Sequence, residues 1–153
     1  MSSFFPIFVD ISKIRVLVIG GGAIAKRRIQ TLMKFGANIS MIAPEADSDL
    51  QQLAEYGQIC WIRRKYQKGD FSDLNIGLAI VATNDRKVNH EAGEEAHLEA
   101  IPVSVADCKE ESTFYFPGIA KKDDIVAGIT ASGKDHKEAA RVTRLIQNLL
   151  EEA

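Results

Sequence analysis

The chain has 153 residues, 46% hydrophobic and 26% charged, with a formal net charge of -2. That suffices for one domain with a true core plus a small appendage, and it lacks the global basic field that nucleic acid selects. The N-terminus has no basic region leading into a long apolar run, no stretch approaches the roughly 18 apolar residues of a membrane span, and Cys60 and Cys108 stand far apart outside any C-x-x-C, so the expectation is a cytoplasmic chain with reduced cysteines, no metal-ligand set, and neither nucleic acid nor membrane as a partner.

Phe4 to Val9 is apolar around Pro6, which limits it to an edge strand or an extended lead-in. After a turn at Asp10 to Lys13, Ile14 to Ile19 is a nearly continuous apolar strand, the pattern of a strand covered on both faces. Gly20, Gly21 and Gly22 follow, and Ala23 to Phe35 reads as an amphipathic helix closed by Gly36. Ile39 to Ile42 predicts a second strand ended by Ala43-Pro44, Asp47 to Tyr56 a second helix, and Ile59 to Ile62 a third strand. A polar link leads to one helical turn at Asp70 to Leu74. Leu78 to Ala82 then predicts a fourth strand, Asp85 to Glu99 a long helix, and Pro102 to Val105 a fifth strand running into Ala106-Asp107. Past residue 110 the alternation stops. Thr113 to Phe116 and Ile125 to Ala131 read as strands joined through Pro117-Gly118 and the polar run Lys121 to Asp124. A last helix covers about Asp135 to Glu152, with Ala139, Val142, Leu145, Ile146, Leu149 and Leu150 on one face.

Strands alternating with helices at this spacing form right-handed βαβ units. The expected fold class is therefore α/β: a Rossmann-type parallel sheet over residues 1–110, followed by a small C-terminal strand-and-helix segment over residues 111–153. Two strands and a helix make a poor independent core, which points the second segment at a partner surface, either the first domain or a second subunit.

Gly20, Gly22 and Ala25 fit the spacing G-x-G-x-x-G/A between a strand and a helix, with Gly21 in the first variable slot. Gly20 permits the tight turn, Gly22 lets the backbone approach a pyrophosphate, and Ala25 lets helix and strand pack closely. The phosphates of a dinucleotide would lie on the helix start at Ala23 and Ile24, where free N–H groups and the helix dipole favour negative charge. A glycine-rich turn without a nucleotide has the same local sequence. In such sheets ligands bind at the carboxyl ends of strands, which here are Gly20–Gly22, Ala43-Pro44-Glu45, Thr83-Asn84 and Ala106-Asp107. NAD-type sites place an acid after the second strand and NADP-type sites an arginine. No Lys or Arg lies between Phe35 and Ile62, so NAD is expected, with Glu45 either on the ribose hydroxyls or a solvated loop acid. Thr83 and Asn84 are candidates for the edge beside the nicotinamide ribose, and equally for a helix N-cap.

Several further segments occur in order: Ile42-Ala43-Pro44, Ala82-Thr83-Asn84-Asp85 with Val88-Asn89, Val103-Ser104-Val105-Ala106-Asp107, Phe114-Tyr115-Phe116-Pro117 and Ile129-Thr130-Ala131-Ser132-Gly133-Lys134. With the glycine turn they resemble the precorrin-2 dehydrogenase family, which also forms the N-terminal module of siroheme synthases. The resemblance implies NAD-dependent oxidation of precorrin-2 to sirohydrochlorin, with metal insertion in some members, and a homodimer in which the later segment is paired or exchanged between subunits. It implies a catalytic role for Asp107 and a substrate-facing loop at Ser132. Two features depart from the family: Asp135-His136 stands where Ser-Pro is frequent, and the further helical domain that usually helps to enclose the tetrapyrrole is absent from these residues, as in a shortened chain or a reduced homologue.

Dehydrogenating a reduced tetrapyrrole removes a hydride and a proton. The base belongs near the nicotinamide at the carboxyl end of the sheet, where Asp107 is the available acid. His90 and His97, seven residues apart on one helix, read as exposed helix residues, and His136 as a possible substrate contact. A polycarboxylate substrate favours local positive charge. Lys109 and Lys134, which flank the proposed site, lead Arg27, Arg28, Lys121 and Lys122 for that role. A non-enzymatic NAD-binding regulatory module needs only the glycine turn and the sheet, so it is the competing reading. A dehydrogenase of a small substrate is disfavoured by the lack of a separate substrate domain.

Overall fold

In the computed structural model, which describes residues 4–153, five strands pair in parallel: β1 (Arg15–Ile19), β2 (Asn38–Ile42), β3 (Cys60–Ile62), β4 (Leu78–Val81) and β5 (Val103–Val105). Their order is β3-β2-β1-β4-β5. The chain starts in the middle, winds outward to β3, then returns to lay β4 beside β1. In register, Ile19 lies between Ile42 and Val81. The winding direction reverses between β1 and β4, and this leaves a crevice at their carboxyl ends. The helices are α1 (Ala23–Met33), α2 (Ser48–Glu55), the short α3 (Asp70–Asp73) and α4 (Arg86–Leu98).

The apolar run of β1 is buried throughout, Val16 to Ile19 being at most 1% exposed. Leu17 and Ile19 join the core that also holds Phe71, Ala92 and Ala96. Small residues bring α4 onto the sheet: a Cβ on Gly93 would stand 3.3 Å from Val105 Cγ2. Aspartates start α2 and α4 by accepting from first-turn amides. Asp47 takes Asp49 N–H at 2.9 Å, and Asp85 takes Lys87 N–H at 2.9 Å.

The expected strand at Thr113 to Phe116 does not form. Thr113 N–H donates to Val103 O at 2.8 Å, but Val103 N–H is met by Thr113 Oγ1 and Val105 N–H by Ser112 Oγ, at 2.8 and 2.9 Å. Hydroxyls satisfy the outer edge of β5 in place of a backbone ladder. Pairing resumes at β6 (Gly118–Lys122), antiparallel to β7 (Ile125–Ile129). Lys121 and Lys122, expected in a link, thus lie in a strand.

The chain divides into two compact units. One, Val9–Phe114, holds the five-stranded sheet. The other joins Tyr115–Ala153 with the N-terminal segment up to Phe8, and there the Phe4 and Tyr115 rings lie 4.3 Å apart. Its hairpin turns at Asp123-Asp124, with Asp123 at φ 51°. The final helix, α5 (His136–Glu152), packs on β6. Gln147 takes over backbone bonding at the β6 edge, accepting from Lys121 N–H at 2.8 Å and donating to its carbonyl at 3.1 Å. Leu145 and Leu149 remain 52% and 66% exposed. Among the described residues no helix is long and apolar enough to cross a membrane.

Candidate functional site

The carboxyl ends of β1, β2 and β4 border a cavity of about 790 Å³. Gly20, Gly22, Ala43, Pro44, Glu45, Thr83 and Asn84 all line it, as does Gly21. The three glycines differ in what requires them. Gly20 sits at φ 122°, and a Cβ there would lie 2.2 Å from Ala82 O. A Cβ on Gly21 would lie 2.4 Å from Glu45 O, so this nominally variable position is as constrained as its neighbour. A Cβ on Gly22 would meet nothing within 4 Å; its open side is free for a ligand. The first backward bond of α1 runs from Lys26 N–H to Gly22 O at 2.9 Å. The N–H groups of Ala23 and Ile24 precede it and have no intrahelical acceptor. Ala25 is fully buried, as close packing of helix on strand requires.

The β1–α1 turn is tied to the start of α2. Asp47 N–H donates to Gly21 O at 2.8 Å. Lys26 Nζ reaches Asp47 Oδ2 at 3.2 Å and Asp49 Oδ2 at 3.3 Å. The Asp47 contact, then that of Asp49, raises the Lys26 pKa; Asp49 N–H, then Lys26, lowers that of Asp47.

After β4 the chain is fixed by a residue from inside α4. Asn89 Oδ1 accepts from Thr83 N–H at 3.1 Å and from Thr83 Oγ1 at 2.5 Å, while Asn89 Nδ2 donates to Thr83 O at 3.0 Å. Thr83 Oγ1 also accepts from Asp85 N–H at 3.1 Å. The N-cap proper is Asp85.

Asp107 stands just past β5 and is not among the cavity walls, but Arg86 is, and Arg86 Nη1 donates to Asp107 Oδ1 at 2.7 Å. Arg86 Nη2 bonds Glu111 Oε2. His90 Nδ1 meets Glu111 Oε1 at 2.7 Å, and His97 Nε2 meets the Glu111 carbonyl at 2.8 Å. Both histidines are exposed, as expected, yet both grip the turn at Lys109–Glu111. Lys109 itself is exposed. Ser132 and Lys134 belong to the other compact unit. There Ser132 has φ 58°, and its N–H donates to Thr130 Oγ1 at 3.1 Å. Lys134 is exposed.

Several contributors carry no sequence motif. Lys65 and Tyr66, in the loop after β3, also line the cavity. The stretch without Lys or Arg ends just before them, and chain winding brings Lys65 to the cavity that Glu45 also lines. Tyr66 Oη donates to the buried Glu95 at 2.5 Å, and Glu95 also accepts from Gly69 N–H and Phe71 N–H at 2.7 and 3.0 Å. Burial, then the Glu95 hydrogen bond, pushes the Tyr66 phenol far above its ordinary value. Arg64 forks onto buried Asp70 at 2.8 and 3.0 Å. Among the described residues no cluster of three His, Cys, Asp or Glu could hold a metal ion. The open face of Gly22, the helix amides behind it and the acid at Glu45 fit a dinucleotide.

A family model described as "Putative NAD(P)-binding" matches residues 7–118. The chain is 41% identical over 146 residues to "Probable multifunctional siroheme biosynthesis protein HemA" of Ruminiclostridium josui, covering 95% of this chain and 28% of that protein. It is 30% identical over 146 residues to "Precorrin-2 dehydrogenase" of Bacillus subtilis (strain 168), covering 95% of this chain and 88% of that protein. The solved structure "SirC, precorrin-2 dehydrogenase" matches with a TM-score of 0.79 at 24% identity, over 97% of this chain and 74% of that one, so the two share a fold. The chain thus spans less than a third of the multifunctional relative and most of the B. subtilis protein.

Proposed function

The chain belongs to the precorrin-2 dehydrogenase family of NAD(P)-binding proteins, and on that premise we propose that it oxidises precorrin-2 to sirohydrochlorin with NAD. When bound, the nicotinamide supplies the hydride acceptor. The first-turn amides of α1 and the open side of Gly22 hold the pyrophosphate. Glu45 takes the adenosine ribose hydroxyls. The Thr83-Asn84 edge, braced by Asn89, sets the nicotinamide end. Asp107 is the base. Its Oδ1 is engaged by Arg86, while among the described residues Oδ2 takes no hydrogen bond and is free to receive the proton. Lys109, Ser132 and Lys134 are proposed substrate contacts by family resemblance.

The observation that carries this reading is the glycine turn with its open Gly22 face on a cavity whose wall, through Arg86, touches the one carboxylate that the family resemblance makes catalytic. Purified chain mixed with NAD and precorrin-2 is expected to give the absorption change of oxidation, and Asp107→Asn to slow it severely, to a small residual rate, while NAD still binds. Binding of NAD with no oxidation by the wild-type chain favours a regulatory module. Metal insertion is a separate proposal; the macrocycle supplies the nitrogens, and an unchanged metallation rate in Asp107→Ala removes Asp107 from that step. We further propose a cytoplasmic homodimer, supported by the unpaired cysteines and by the exposed leucines of α5.

A further inference from the structure

Arg86 carries no part of any sequence motif, yet it is the link between the cavity and Asp107. It is the first residue of α4, directly after the Asp85 cap. Its guanidinium is a rigid planar fork, and here the two tines go to different carboxylates: Nη1 to Asp107 and Nη2 to Glu111. Glu111 is itself held. His90, one turn along α4 from Arg86 and on the same face, takes its other oxygen. His97 takes its carbonyl. Three side chains of one helix therefore grip one short turn, and Arg86 passes that fixed position on to Asp107.

Asp107 needs such a brace. It sits in a turn beyond the end of β5, with a side chain 39% exposed, and no other described residue hydrogen-bonds to its carboxylate. An unbraced carboxylate on a turn samples several rotamers. A base that must meet a proton beside a bound nicotinamide tolerates little of that freedom, since a misplacement of about 1 Å can cost roughly a hundredfold in rate.

We propose that Arg86 is the positioning residue of this site, acting through Asp107: it pins Oδ1, presents Oδ2 to the proton, and takes its own orientation from Glu111 and His90. The inference rests on the dehydrogenase reading and deepens it. Arg86 is 46% exposed, and exposed ion pairs contribute little to stability. A loss of turnover without a loss of fold therefore separates positioning from a structural role.

The test uses the full chain with NAD and precorrin-2, comparing wild type, Arg86→Ala, Arg86→Lys, Asp107→Asn and the Arg86→Ala/Asp107→Asn double variant. In Arg86→Ala, kcat is expected to fall by roughly 10- to 100-fold, with the thermal midpoint, NAD affinity and KM for precorrin-2 nearly unchanged. Arg86→Lys keeps the charge but cannot fork, and recovers only part of the loss. On the Asp107→Asn background the arginine substitution has no further effect. An unchanged kcat in Arg86→Ala overturns the proposal. So does a loss confined to KM or to NAD affinity, which makes Arg86 a direct ligand contact, and so does an additive loss in the double variant. A wild-type chain that binds NAD and oxidises nothing overturns the dehydrogenase reading itself, and is distinguished by the wild-type arm alone.

Discussion

Asn89 and Thr83 exchange three hydrogen bonds across the start of α4, with Asn89 fully buried. One side chain thereby satisfies both backbone groups of Thr83, two residues past β4, where the chain leaves the sheet and borders the cavity. Asn89→Ala strips partners from the Thr83 N–H and C=O together. Thr83 is only half-buried, so each group left without a partner costs less than the about 1–3 kcal/mol of a fully buried one. The expected result is a lower urea midpoint together with weaker NAD binding in a calorimetric titration. Thr83→Val, which removes only the hydroxyl, is expected to cost less in both.

The glycine turn predicts three different outcomes for one type of substitution. Gly20→Ala sets a Cβ 2.2 Å from a backbone carbonyl at a positive φ. Left-handed strain and overpacking each cost about 1–3 kcal/mol, so a large loss of thermal stability is expected. Gly21→Ala meets Glu45 O at 2.4 Å and is expected to destabilise through overpacking alone. Gly22→Ala meets no protein atom within 4 Å. Its melting temperature is expected to match wild type while its NAD dissociation constant rises at least about tenfold, the equivalent of about 1.4 kcal/mol. A Gly22→Ala chain that binds NAD normally removes this turn from the pyrophosphate.

Much of this arrangement is legible in sequence because burial dictates it. β1 and β4 are nearly continuous apolar runs, β1, β2 and β5 are closed by Gly20, Ala43-Pro44 and Ala106-Asp107, and Asp47, Asp85 and Asp135 mark helix starts because unpaired first-turn amides need acceptors. Polar partners that meet through the fold leave no such mark. Tyr66 and Glu95 are 29 residues apart, and Arg86 and Glu111 are 25 apart. Neither spacing reflects a helix or strand period, so nothing local announces the contact. Lys65 reaches the cavity only because β3 lies beside β2. Gly21 is constrained by a loop some two dozen residues on, which the motif spacing does not register. Thr113 to Phe116 has the composition of a strand, but the hydroxyls of Ser112 and Thr113 bond the β5 edge themselves.

A buried carboxyl and a half-buried phenol give opposite pH dependences. Burial alone would raise the Asp70 pKa, but the Arg64 fork and Gln67 N–H outweigh it and hold the carboxyl below its ordinary value. A depressed native pKa contributes stability above the unfolded value of about 3.9, which is lost as pH falls through the native one. Asp70→Asn is therefore expected to be less stable than wild type at pH 7, with the gap closing in acid. Tyr66 is the reverse case. Its raised pKa contributes stability that is full below about pH 10 and lost as pH rises beyond it. Tyr66→Phe is expected to flatten the alkaline limb of the stability profile, read by denaturant melts from pH 7 to 11.

The apolar surface of α5 gives the last prediction. Leu145 and Leu149 lie four residues apart, hence on one helical face, and both are largely exposed. Val142, Ile146 and Leu150 are half-buried within the same unit, so the helix carries a wider apolar stripe than that unit covers. Ile125, at the start of β7, adds to the exposed apolar surface at 59%. Exposed apolar surface of this kind marks an association surface. Leu145→Glu/Leu149→Glu keeps helix propensity and places two carboxylates in any interface formed there, where unpaired buried charge is strongly unfavourable. The wild-type chain is expected to sediment as a dimer and the double variant as a monomer. NAD affinity is expected to persist, because the cavity is built from the sheet-containing unit alone. A double variant that remains dimeric moves the interface off this face of α5.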